Sequence, residues 1–196
     1  MKLITKDYHY EELIKKSRFI GLLLPCDSET DAQAYIKHVN TDYADASHVV
    51  YAYRIKTSQG LVYRFYDAGE PSGTAGKPLL QQLEGKQLMN ALLIVVRYFG
   101  GIKLGAGGLT RAYGNTARKV LEQAELMPFI EWLTLSMTLA YERLQQLEYT
   151  LKTLDGKILE QEFSGHIRLQ VQLPKPSLAQ FNTRFADAIN SIQDNP

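Results

Sequence analysis

Cysteine occurs once in 196 residues, at Cys26, and that scarcity removes whole classes of protein. No internal disulfide can form and no cysteine-based zinc site can be assembled. No histidine or charge cluster flanks Cys26, so it reads as a strand-end residue and not as an activated nucleophile. Long apolar runs are lacking too. The longest, residues 91–96, stops at Arg97 and is far too short to span a bilayer. Acids and bases run through residues 1–16, which leaves no apolar segment for a secretory leader, so a cytoplasmic location without a membrane partner is expected. The remaining histidines beside His48, at positions 9, 38 and 166, lack metal-ligand spacing. Charge of one sign is also missing: 22 Lys+Arg against 21 Asp+Glu leave +1, which argues against a histone-like or polybasic-tail protein.

What is present is unevenly spread. Hydrophobic residues at 45% and charged residues at 22% are ordinary globular values, and the length suits one large domain or two small ones. Residues 64–118 hold seven bases and three acids, whereas residues 125–196 hold six bases and nine acids. Of the 14 glycines, 11 lie between Gly60 and Gly114. A basic, glycine-rich middle therefore precedes an acidic tail region, and the near-zero total is a cancellation.

Periodicity supplies the elements. Strands are expected over 8–13 and 18–24, a helix from Ser28 to Asn40, and a strand pair over 49–55 and 61–66. A short helix over 78–83 precedes a strand at 92–99, whose continuous apolar run marks burial on both faces. A helix then spans 108–123. Pro128 marks a boundary, giving domains 1–128 and 129–196. Beyond it, Leu133, Leu135, Met137 and Leu139 alternate with polar residues, as do Ile167, Leu169, Val171 and Leu173. Leu144, Leu147, Leu151 and Leu154 keep helical spacing between them. Ser177 with Gln180 forms a capping-box pattern, and Leu178, Phe181, Phe185, Ile189 and Ile192 stripe a final helix. The resulting β-α-β-β-α order is a ferredoxin-like sandwich that lacks its usual last strand.

Three signatures fail on inspection. Residues 71–77 resemble a P-loop, but Pro71 replaces the first glycine and Pro78 the hydroxyl residue. Thr110 stands where a dinucleotide fingerprint needs its third glycine. The order around Ser72 is not that of a nucleophile elbow. Two loops survive on physical grounds. The first reads Arg97-Tyr-Phe-Gly-Gly-Ile-Lys-Leu-Gly-Ala-Gly-Gly-Leu-Thr-Arg111. Gly100, Gly101, Gly105, Gly107 and Gly108 permit close backbone approach, free N–H groups at the following helix start favour an anion, and Arg97, Lys103, Arg111 and Lys77 supply positive charge. The plainer alternative is tight turns with solvated cations. The second reads Tyr66-Asp-Ala-Gly-Glu-Pro-Ser-Gly-Thr-Ala-Gly-Lys77. Asp67 and Glu70 are candidates for a cation or a shared proton, and Ser72 or Thr74 for donation to an anion. The alternative is a turn in which Ser72 or Thr74 caps the next helix. His48 opens a strand near both loops, as a catalytic or binding residue or, the commoner outcome, a structural one. Tyr63, Phe65, Tyr98 and Phe99 suit base stacking, although strand positions make core or strand-face packing the commoner outcome.

These two loops, together with Lys16-Ser-Arg-Phe19 and the His48 strand, resemble the hallmark stretches of the IMPACT/YigZ family over residues 3–192. The resemblance implies an α+β fold of two domains. The first is similar to a ribosomal-protein β-α-β domain, and the second is a ferredoxin-like domain similar to the last domain of elongation factor G. Eukaryotic members of the family regulate translation, so the resemblance implies a link to translation here. Two departures stand out: Ala68 follows Asp67 where the family has a second acid, and Val49 and Val50 follow His48. The leading reading is a non-enzymatic RNA- or ribosome-associated protein. The alternatives are an enzyme or sensor for a small phosphorylated ligand at the two loops, and a protein-interaction module whose partner docks on the polar sheet face of residues 133–173. No catalytic residue, cofactor or metal ligand is assigned.

Overall fold

The computed structural model describes residues 1–195, which form two compact units that meet in sequence between Phe129 and Ile130. In the first unit the elements run β1 (Lys2–Leu3), β2 (Tyr8–Ile14), β3 (Ser17–Pro25), α1 (Glu29–Asp42), β4 (His48–Thr57), β5 (Gly60–Tyr66), α2 (Gly76–Gly85), β6 (Ala91–Tyr98), α3 (Ala106–Glu122) and β7 (Met127–Pro128). Strands β2-β3-β6-β4-β5 make one antiparallel sheet in that order, and β1 pairs with β7 in a short ribbon. The apolar run of β6 is central, as its composition requires. Leu93 and Val95 face a core under α2 and α3, while Leu92, Ile94 and Val96 face a second core under α1. Each such side chain contributes roughly 1.5–3 kcal/mol by leaving water. α1 starts where expected, with the Ser28 hydroxyl accepting from the Asp31 N–H at 3.0 Å.

Alternation along β6 puts Arg97 on the α2/α3 face, and register sets Phe19 of β3 and His48 of β4 on either side of it. The loops leaving β5 and β6 and the turn entering β3 therefore gather at one end of the sheet. That turn is two residues long, with Ile14 paired to Ser17. Lys15 and Lys16 both take positive φ, 46° and 67°, a conformation that favours Asn-Gly and costs a lysine roughly 1–2 kcal/mol.

The second unit contains β8 (Trp132–Leu139), α4 (Leu144–Thr153), β9 (Lys157–Phe163), β10 (Ile167–Pro174), α5 (Leu178–Phe185) and β11 (Ile189–Asn195), with sheet order β11-β8-β10-β9. The inward alternation of β8 and β10 is as expected, and those eight apolar side chains build the core with Phe181 and Phe185. The end of the unit corrects the sequence expectation. The last helix stops at Phe185, and Ile189 and Ile192 lie on a fourth strand that completes the ferredoxin-like sheet. Their spacing of three residues mimics a helical stripe, but Asn190 and Ser191 are weak helix formers and the edge of β8 offers backbone hydrogen bonds. The capping box also fails to form. A 3-10 turn over Lys175–Ser177 leads into α5, and Ser177 makes no side-chain cap.

Candidate functional site

The two loops build different things: the turn after β5 aims Glu70 into a buried polar cluster around Arg97, and the chain after β6 forms an exposed basic lip. The Arg97 guanidinium donates through Nη1 to Glu70 Oε1 at 2.5 Å and through Nη2 to Ser17 Oγ at 3.3 Å. Tyr113, on the buried stripe of α3, donates its hydroxyl to the same Glu70 oxygen at 2.8 Å. The side chains of Arg97 and Glu70 are only 5% and 4% exposed. Burial first, then the Glu70 carboxylate, pushes the Tyr113 phenol far above its ordinary range, so it remains a donor. His48 Nδ1 lies 2.9 Å from the Ala68 carbonyl, and because a carbonyl only accepts, Nδ1 carries the proton. His48 Nε2 lies 3.7 Å from Glu70 Oε1. Below the guanidinium, the Phe19 ring sits at 5.4 Å and meets Tyr113 edge-on at 5.3 Å.

The chain leaving β5 turns back at once. Ala68 and Gly69 take φ of 51° and 87°, and Glu70 N–H closes the turn on the Asp67 carbonyl at 3.0 Å. That turn aims Glu70 inward at Arg97. Asp67 serves the next element: its carboxylate accepts from the N–H groups of Gly73 at 2.9 Å, Ala75 at 3.0 Å and Gly76 at 2.8 Å. An internal anion thus caps α2, which suits the positive end of a helix. Neither Ser72 nor Thr74 does so. Thr74 donates instead to the Pro71 carbonyl at 2.6 Å, and Ser72 is exposed. Asp67 and Glu70 are therefore both engaged within the fold, and among the described residues no group of His, Cys, Asp and Glu has a metal-holding arrangement.

The chain leaving β6 does the opposite. Gly100 presses on the turn before β3, where an added Cβ would overlap the Lys16 carbonyl, and its N–H reaches Ser17 Oγ at 3.2 Å. Gly105 caps α3 with φ 71° and offers no side-chain bond, and the first turn holds no acid. Gly107 in that turn is exposed, and Arg111 folds back over it, with Nη1 3.9 Å from where a Gly107 Cβ would stand. Lys103, Arg111 and Lys77 are exposed and form no ion pair among the described residues. Lys15 and Lys16 share that state, and the Gly100 contact brings their turn beside the loop.

The structure thus unites His48, Glu70 and Arg97 with Tyr113 and Ser17, which sequence reading missed. A tyrosine in a buried helical stripe needs a hydroxyl partner, and that signal was available for Tyr113. Ser17 carried no such signal. The cation of Arg97 is taken up by Glu70, so the lip's charge comes from Lys15, Lys16, Lys103 and Arg111, while Lys77 stands exposed in the first turn of α2. Tyr63, Phe65 and Phe99 are exposed by 58%, 43% and 47%, not packed away. Cys26 is buried, and burial pushes its thiol up to about 11, which fits an inert core residue.

On the second unit, a concavity of about 620 Å³ lies over the outer sheet face, lined by Ser136, Thr138, Glu160, Glu162, Arg168 and Gln170 among others. Among the described residues no helix is long and apolar enough to cross a membrane. Comparison with known proteins matches residues 15–121 to the Impact N-terminal domain and residues 137–191 to a domain of unknown function, DUF1949. The chain is 38% identical to the Escherichia coli IMPACT family member YigZ, over 90% of this chain and 87% of that one. It is 35% identical to an IMPACT family member of Haemophilus influenzae, over 91% and 87%. A solved structure of a hypothetical protein, 35% identical, aligns with a TM-score of 0.65 over 95% of this chain and 91% of the other. With both domains matched and relatives alike along most of their length, the chain belongs to the IMPACT family.

Proposed function

We propose that this chain is a non-enzymatic, cytoplasmic protein that binds RNA or the ribosome through its first unit and acts on translation. One contrast carries the reading. The N-terminus of α2 is filled by Asp67, whereas that of α3 receives no side-chain cap and is edged by Lys103 and Arg111. The acids of the glycine-rich motifs face inward, so the lip presents backbone N–H groups and unpaired cations, the chemistry that phosphodiester oxygens require. Catalysis is the weaker reading, because Glu70, Asp67 and Tyr113 are spent on one another and on the backbone. Family membership supports translation as the setting.

The concavity on the second unit favours a second reading for that unit alone, a face on which a protein partner docks. Its mixture of Glu160, Glu162 and Gln170 suits hydrogen bonding more than attraction to a polyanion.

Pelleting with ribosomes, together with retention on RNA at low ionic strength, tests the main reading. Binding is expected at low salt and release is expected as salt rises, by roughly 10³-fold in affinity between 50 and 200 mM if about six phosphates are touched. Absence from the ribosomal pellet together with no RNA retention at low salt overturns it.

A further inference from the structure

We propose that the lip selects single-stranded nucleic acid, with an unpaired base stacking on Phe99 while the flanking phosphate lies on Lys103, Arg111 and the first turn of α3. This rests on the nucleic-acid reading above and names its substrate class. Phe99 is 47% exposed and Ile102 is 40% exposed, so two apolar side chains stand in water on either side of Gly100–Gly101. A loop shaped only for turning has no use for either. Phe99 is also held in place. Its N–H donates to Ser47 Oγ at 3.0 Å, and its ring lies 5.5 Å from the Arg97 guanidinium carbon. Arg97 in turn is fixed by Glu70 and Ser17 and supported by Phe19, so the ring rests on a rigid, buried cation. A preorganised ring loses little freedom when a base covers it.

The surroundings decide which flat ligand this is. Lys15, Lys16, Lys103 and Arg111 carry no ion pair among the described residues, and the acids of the motifs face inward, so the occupant is a polyanion. A base within a duplex shows only its edge, because its faces are stacked, so a ring such as Phe99 reaches a base face only in an unpaired strand. The chain from Phe99 to Lys103 spans at most roughly 14 Å, within the reach of one or two nucleotides.

Fluorescence anisotropy with a labelled oligouridylate of about 12 nucleotides, and with an RNA duplex of similar length, separates the possibilities. The wild-type protein is expected to prefer the single strand. Phe99→Leu, which keeps bulk and apolarity but removes the π face, is expected to weaken single-strand binding roughly 5- to 150-fold and leave duplex binding unchanged. Phe99→Trp is expected to bind at least as tightly as the parent. Unchanged single-strand affinity in Phe99→Leu, or a wild-type preference for the duplex, overturns the stacking proposal and leaves the basic lip standing. Failure of the wild type to bind either RNA at low salt overturns the stacking proposal together with the RNA arm of the reading above.

Discussion

Glu70→Gln should destabilise the first unit by about 3–5 kcal/mol, a large share of what a domain of this size possesses. The substitution is nearly isosteric and keeps an oxygen for the Tyr113 hydroxyl. What it removes is the counter-charge of a guanidinium that is 5% exposed. A buried ion pair is not strongly stabilising in itself, but half of one leaves a charge with neither water nor partner. Arg97→Met should therefore cost a similar amount by stranding Glu70. The double variant Glu70→Leu, Arg97→Met should cost clearly less than the two single changes together. Because the chain has two units, a single melting curve mixes their transitions, and amide exchange of β6 isolates the first. Single changes below about 1 kcal/mol by that measure would mean that Arg97 reaches water, contrary to its burial.

The second large effect is expected at Gly100. An alanine there drives a methyl group into the Lys16 carbonyl, a backbone atom that no rotamer change can move. Either the loop after β6 or the turn between β2 and β3 must shift, and relief of such overpacking costs about 3 kcal/mol, the upper end of its usual range. Gly100→Ala should thus lower stability and also detach Lys15 and Lys16 from the rest of the lip, so RNA affinity falls with it. Gly101→Ala makes an instructive comparison, because an added Cβ meets nothing within 4 Å there and only the positive φ of 84° opposes it. Its cost should be about 1 kcal/mol. Equal effects at the two positions would show that the contact with Lys16 is not what Gly100 serves.

Much of the framework could be read along the chain because it depends on local pattern. The run through β6, the helical stripe of α3 and the alternations of β8 and β10 each announce a burial geometry that the fold then satisfies. The end of the second unit misled for the same reason. Phe181, Phe185 and Ile189 keep helical spacing, and only the unpaired edge of β8 decides that Ile189 begins a strand. The site was legible as two loops, but not as a division of labour between them. Glu70 and Arg97 are 27 residues apart, Arg97 and Ser17 are 80 apart, and no local pattern couples them. Asp67 looked like a ligand-binding acid because its use, capping α2 from nine residues upstream of Gly76, is visible only once the turn at Ala68–Gly69 is folded. Lys15 and Lys16 were passed over because their place beside Gly100 comes from sheet register, not from spacing.

The central claim is that a basic lip, built from the turn before β3 and the start of α3, meets phosphates. The dependence of RNA affinity on salt tests it most directly, in the wild type and in Lys103→Ala and Arg111→Ala. Each alanine is expected to weaken binding uniformly across RNA sequences and to flatten the log–log slope by roughly 0.7–0.9, the signature of one lost phosphate contact. A wild-type slope near zero, or slopes unchanged in both variants, would contradict it.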